Sequence, residues 1–438
     1  MLHNNYIESY FIMKKDDQLH KSLDYVFRGG VATSAMDSLA VGSTLTAYAL
    51  LLGAGNIAIG ILGAIPFIGN MIHLYASYLI EKGISAKKIA IVSSFLARPF
   101  YLIAAMLCFF PTASWAVPVL IISLLCSYLI GSMCGGAWMP WMKALIPARL
   151  MGKFFSHRFK WMMIAKIICF VFAFFLVKYA TRHQNGELYS YAFLIFLAFI
   201  ISLYGAYTFI HVEDKKIETK PGMPFIKKVA HTFKNKPFSK LLTALSVLNF
   251  SVNFITPFLT VFMLKNLAVP MPTIIALTLF QWLIYTFVVK RWGKMSDKKG
   301  PEKILIASIP IFIACALIFM LLNIYPVTGI LLLGVLVFVN ILLGISTAAL
   351  TLGINNTSLL YMPKDMSSVY LSVNSVFKSF AAALGSIMAG YALTLFDTIA
   401  NLMAIEKNII FQWNAFYLTT IVLCLLSIYL LKQVKKCI

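Results

Sequence analysis

The chain has 438 residues, of which 61% are hydrophobic and 12% charged, and it carries a formal net charge of +22. A soluble domain cannot keep that much apolar surface from water, so the composition excludes an ordinary globular enzyme or binding module and calls for hydrocarbon around the fold. The basic excess sits in loops between hydrophobic spans, which argues against nucleic acid as its partner and assigns it to topology and anionic membrane lipid.

In chain order, residues 1–27 come first. They are polar and mixed in charge (Lys14, Lys15, Asp16, Asp17) and hold no apolar core long enough for a cleavable signal. The first hydrophobic segment is therefore expected to act as an uncleaved insertion signal. Twelve helical spans follow, at 28–51, 55–80, 87–110, 116–141, 160–180, 189–211, 241–264, 271–290, 303–324, 328–353, 366–395 and 411–431. Each is near or above the roughly 20 residues that cross a bilayer, and the longer ones predict tilt. The fold class is thus an all-α membrane protein. Residues 28–211 and 241–431 are expected to form two six-helix bundles, with 212–240 as a linker and 432–438 as a tail. In the linker, Pro221-Gly222 precedes Phe225, Ile226, Val229, Ala230 and Phe233 on one helical face, with Lys227, Lys228 and Lys234 around it. That pattern reads either as a short helix on the membrane surface or as a solvated basic linker.

An even number of spans puts both termini on one side. The opposite side holds Lys178, Arg182, Lys265 and Lys407; Arg98, Lys166 and Lys378 fall within spans; the rest of the 37 Lys and Arg lie on the side of the termini. This positive-inside bias predicts cytoplasmic termini in a multi-pass protein of a bacterial inner membrane. Seven cysteines lie mostly inside apolar stretches, with spacing that fits neither a metal site nor a disulfide frame. No metal and no cofactor are expected.

A constant shift of 216 positions relates the halves. It carries Glu81, which opens the basic loop Glu81-Lys82-Gly83, to Asp297 in Asp297-Lys298-Lys299-Gly300, and Pro147-Ala148-Arg149 to Pro363-Lys364-Asp365. Two loops in register point to a duplicated unit, and parallel six-helix halves are a transporter architecture.

The loop Gly293-Lys294-Met295-Ser296-Asp297-Lys298-Lys299-Gly300 resembles the loop signature of the major facilitator superfamily, and it sits between spans 8 and 9, where that family carries it. The counterpart between spans 2 and 3 is degenerate: Ser77 stands for the glycine, Glu81 for the aspartate, and Gly83 falls one position early. The resemblance implies two pseudo-symmetric six-helix bundles around a central cavity lined by spans 1 and 7 among others. It also implies that the loop acids brace the cytoplasmic gate, Asp297 against the start of span 5 and Glu81 against the start of span 11 near Asp365 to Ser368. A carboxylate suits that place, because unpaired N–H groups at a helix N-terminus favour an anion. Small residues at Gly293 and Ser77 would permit close helix approach. The family's drug/proton antiporters carry a Gly- and Pro-rich motif in span 5, whereas Lys160 to Ala180 contains neither residue, which favours a symporter or uniporter.

Asp37 is the carboxylate placed well inside a span, where an unpaired charge must be protonated, paired or facing water. The 216 shift takes it to Asn253, with Asn249 one turn before. Asp37 is accordingly the candidate proton-coupling or substrate-contacting acid, a structural ion pair being the alternative. Arg98 could pair with it, Lys166 is expected to snorkel to the interface, and Lys378 is the better ligand candidate. His73, Trp138, Gln281, Trp282 and Asn340 complete the polar and aromatic set, while Trp141 beside Lys143 reads as an interfacial anchor. The expected function is alternating-access transport of a small polar solute, anionic or zwitterionic, by proton-coupled symport or by uniport in a monomer. The alternatives are a drug or metabolite exporter, or a non-transporting sensor or scaffold. No phosphate-binding loop or metal-binding His pair supports an enzyme.

Overall fold

In hydrocarbon, backbone N–H and C=O groups find no water, so an apolar run must close its hydrogen bonds within itself and coil into a helix. The computed structural model describes residues 17–215, 217, 232–360, 367–403 and 408–435, and these are helical with short connections. Among them, eleven helices are long and apolar enough to cross a membrane. The remaining crossing, the first, is polar at its start and broken, as Asp17–Ala40 and Ser43–Leu51. Span 2 is Asn56–Asn70 and His73–Glu81, and span 3 is Ala86–Ala97, Pro99–Met106 and a short 3-10 turn. Spans 4 to 6 are Ala116–Leu145, Ala148–Ala180 and Gly186–Ile210. The second half is unbroken: Lys236–Lys265, Met271–Lys299, Pro301–Ile324, Gly329–Leu360, Ser367–Leu402 and Asn408–Lys435.

Several helices start well before the expected apolar boundary. Span 1 begins at Asp17, where the Asp24–Arg28 ion pair at 2.7 Å carries the helix outside the apolar stretch. Span 5 begins at Ala148, directly after Pro147. The amphipathic stretch of the linker falls mostly outside the described residues, as do Asp365 and the residues beside it.

The duplication is visible in the packing. In the first half span 1 packs on spans 5 and 6, span 4 on spans 2 and 3, and span 3 on span 6. In the second half span 7 packs on spans 11 and 12, span 10 on spans 8 and 9, and span 9 on span 12. Adding six to each member of the first set gives the second. The loop glycines repeat too: Gly83 and Gly300 both adopt φ +87°, the left-handed turn that ends a helix with least strain in glycine. Large apolar side chains such as Leu96, Ile168, Phe175, Phe287 and Val422 are exposed, as an outer surface solvated by lipid requires.

Two interfaces join the halves most extensively, span 2 with span 11 and span 5 with span 8. The first is built for backbone contact. A Cβ on Gly60 would stand 2.6 Å from the Ser386 carbonyl oxygen, and one on Gly390 would stand 2.6 Å from that of Asn56. The Ser386 hydroxyl donates to the Gly60 carbonyl at 2.9 Å. This seam lies at the end of the bundle remote from the termini, here called the far end.

Candidate functional site

A cavity of about 500 Å³ lies between the halves. It is lined by the break in span 1 (Val41, Gly42, Ser43), by spans 2 and 4, and by spans 7 to 10 of the second half. The break has a physical reason. Non-helical backbone at membrane depth survives where it borders water or protein polar groups, and Gly42, at φ +73°, takes a conformation that suits glycine. The Thr46 hydroxyl and backbone N–H both donate to the Gly42 carbonyl, at 3.1 and 3.0 Å, and restart the helix.

Asn249 and Asn253 of span 7, Gln281 of span 8 and Asn340 of span 10, all expected from the sequence, line this cavity together with Trp282. Their hydrogen bonds share one polarity. The amide N–H of Asn249 donates to the Leu245 carbonyl at 2.7 Å, that of Asn253 to Asn249 at 2.8 Å, and that of Asn340 to Leu336 at 2.8 Å. Each asparagine thereby spends a donor on its own helix, and no protein partner for its Oδ1 occurs among the described residues. Thr256 and Thr278, also in the lining, donate back to Val252 and Ile274 in the same way. The second-half wall therefore offers acceptors to a solute.

The first half supplies charge. Asp37 lies mid-helix on span 1, one turn to the terminal side of the cavity-lining Val41, and does not itself line the cavity. It makes no ion pair within 4.0 Å among the described residues, and Lys166 and Arg98 are the cations in electrostatic reach. The suggested Asp37–Arg98 contact pair is thus not formed. Arg98 instead points Nη1 at the Met36 sulfur, 3.5 Å away, and its buried Nε has no partner. Arg98 sits at the discontinuity before Pro99, where span 3 restarts.

Lys166 corrects the sequence reading. It does not snorkel to the interface; its Nζ sits 3.8 Å over the Trp282 ring, joining span 5 to span 8 at the cavity edge. Asp37, Lys166 and Trp282 thus form a line running from one half into the cavity wall of the other. Arg158, assigned by sequence to a loop, is also inside span 5. Its guanidinium lies 4.7 Å over Trp138 and its Nε donates to the Val26 carbonyl at 3.4 Å. A Cβ on Gly30 would collide with that guanidinium, so Gly30 was the sequence signal that a large side chain enters there, while Gly29 faces Thr208 of span 6.

His73, Trp138, Arg98 and Lys378 do not line the cavity. His73 packs against Gly135 and Gly136 of span 4. Lys378 is half-buried on span 11 and makes no ion pair among the described residues. Trp141 is no interfacial anchor: it is fully buried and its indole N–H donates to the Glu213 carbonyl at 2.9 Å.

The motif expected as a loop is the last turns of span 8, which stays helical to Lys299 and stops at Gly300; there Asp297 and Lys298 are exposed, and Asp297 has no hydrogen bond or ion pair among the described residues. Gly293 has open space where a Cβ would stand, so it mediates no close helix approach. This helix end is held instead through Ser296, whose hydroxyl accepts from the Asn356 amide of span 10 at 3.2 Å. Across the repeat, Lys82 lies 4.9 Å over the Tyr78 ring and Glu81 is exposed.

Comparison with known proteins bears on this geometry. The family model described as Major Facilitator Superfamily matches residues 29–386. Similar solved structures include a mutant form of the nucleoside transporter NupG, with a TM-score of 0.76 at 12% identity, covering 94% of this chain and 99% of that one. The POT family transporter PepTSo aligns with a TM-score of 0.71 at 10% identity, covering 95% and 98%. A bacterial homolog of the human lysosomal transporter Spinster, in an inward-facing and unoccupied conformation, aligns with 0.68 at 10% identity, covering 96% and 97%. At these identities the likeness is one of fold. No curated protein matches the sequence.

Proposed function

The chain belongs to the major facilitator superfamily, and on that footing we propose that it is a secondary active transporter that moves a small polar solute by alternating access. The observation that carries this reading is the pairing of an acceptor-lined cavity wall in one half with a carboxylate free of contact ion pairs and nearby cations in the other. A solute bearing N–H or O–H donors suits Asn249, Asn253 and Asn340; a negative group on the same solute suits Lys166, which is already poised on Trp282 at the cavity edge. A zwitterion, or an anion rich in donors, satisfies both walls.

Asp37 is the proposed coupling group. A carboxylate at membrane depth without a contact ion pair gains a proton at modest cost, and protonation removes the negative partner that Lys166 feels. Loading Asp37 with a proton then frees Lys166 for an anionic group of the solute, which links the two cargoes in one step. The positive-inside bias supports cytoplasmic termini, so the joined far end is the extracellular side and the unbraced Asp297 loop belongs to a cytoplasm-open state.

The test is uptake of labelled small zwitterions and anions into proteoliposomes with and without an inward proton gradient. Accumulation above equilibrium is expected for the wild-type chain with the gradient. Asp37→Asn should bind solute and exchange it yet fail to concentrate it. Gradient-driven accumulation by the Asn variant would sink the coupling role, and absence of any solute flux would sink transport.

A further inference from the structure

A second cavity, of about 440 Å³, opens at the far end, its lining sharing spans 7 and 9 with the central one but none of its residues. Spans 7, 9, 11 and 12 build it, and the start of span 2 closes it with Asn56. We infer that this cavity is a binding site for a small neutral amino acid or a similar zwitterion carrying an apolar side chain.

Its chemistry is bipolar. Lys265 and Asp397 both line it, both are exposed, and neither forms an ion pair within 4.0 Å among the described residues. Opposite charges that share a pocket without touching leave room for a ligand whose own charges match each of them. The neutral groups are sorted in the same sense. The Asn323 amide donates to the Ile410 carbonyl at 3.1 Å and to Asn414 Oδ1 at 3.0 Å. The Gln412 amide, 9% exposed, donates to the Leu393 carbonyl at 3.0 Å. Both side chains are therefore fixed by their nitrogen ends, which leaves their oxygens as acceptors in the same lining that holds Asp397. That cluster suits an ammonium, while Lys265 suits a carboxylate. Trp413 and Leu322 supply an apolar wall for a side chain.

The position adds a consequence. Asn56 belongs to the first half and the other lining residues to the second, and the Asn56 carbonyl lies against Gly390 in the seam that joins the far ends. The site is complete when that seam is closed, so its ligand binds the joined state more tightly and favours it.

Binding of L-leucine, glycine and L-glutamine to the purified full chain, by calorimetry and thermal shift, tests the inference. At least one is expected to bind, L-leucine foremost. The single-charge analogues isoamylamine and isocaproate should bind at least about tenfold more weakly. Asp397→Asn and Lys265→Gln should each weaken binding by a similar factor, and Asn56→Ala should weaken it less. Both charged side chains are exposed, so if one variant folds poorly the other carries the test. Asn253→Ala, in the central cavity, should leave this binding unchanged. Absence of binding by all three amino acids would overturn the assignment. So would affinity unaffected by both charge variants, or affinity lost with Asn253→Ala, which would place the ligand in the central cavity and leave the transport proposal standing.

Discussion

Gly60→Ala places a single methyl group in the seam between spans 2 and 11, and its effect can be worked from the backbone. The new Cβ would stand 2.6 Å from the Ser386 carbonyl oxygen and 3.3 Å from the Gly390 backbone. The obstacle is main chain within a continuous helix, so no side-chain rotation relieves it. Overpacking of this kind costs about 1–3 kcal/mol. The higher helix propensity of alanine acts in both conformations and cancels in their ratio. The equilibrium should therefore move toward separated far ends by about 5- to 160-fold. The assay is the distance between spin labels at Phe110→Cys and Tyr325→Cys, two exposed far-end positions in opposite halves, on a background with the seven native cysteines replaced. A longer distance population should grow in Gly60→Ala. It should not grow in Gly293→Ala, where the added methyl meets open space. An unchanged distance distribution in Gly60→Ala would refute the claim that backbone contact holds this seam.

Trp282→Leu removes the ring beneath Lys166, and the lost cation–π contact of about 0.5–2 kcal/mol should appear as weaker solute binding with the fold intact. Equal affinity in the variant would remove Lys166 from the binding site. Trp141→Phe leaves the half-buried Glu213 carbonyl without its donor and should lower stability by about 0.5–1.5 kcal/mol in detergent unfolding. Tyr48→Phe deletes the hydroxyl that donates to the Ala104 carbonyl at 2.9 Å and should cost a similar amount; a neutral result would show that water replaces the bond. Asp297→Asn should change thermal stability by less than about 0.5 kcal/mol, because the side chain is exposed and unpaired. If it instead shifts the spin-label distances, the loop acid engages span 5 in the alternate conformation.

The architecture was legible because lipid enforces a plain rule: apolar runs of sufficient length become helices, and each expected span overlaps a helix, although several helices run past the expected ends. The second-half wall was legible as well, since Asn249, Asn253, Gln281 and Asn340 are polar groups in otherwise apolar helices and have few places to go except a cavity. The first half was harder to read. Lys166 lies near enough to a span end to suggest snorkelling, and its true partner, Trp282, belongs to a span more than a hundred positions away. Arg158 and Trp141 were misplaced for a related reason. Hydropathy locates the bilayer boundary but not the helix boundary, and both residues lie where helices continue past the apolar stretch and bury polar side chains against one another. The Asp37–Arg98 pairing was inferred from shared membership of one half, which fixes neither depth nor facing.

The three breaks in the first half, at Val41-Gly42, Met71-Ile72 and Arg98-Pro99, have no counterpart among the described spans of the second half. A jointed helix bends at its joint, while an uninterrupted one transmits force along its whole length. Met71, Ile72 and Arg98 keep helical backbone angles, so the break that departs from the helix is the one at Gly42, φ +73°, and it lies in the cavity wall. A solute seated against Gly42 therefore touches the one place where span 1 can bend without first breaking a helical turn.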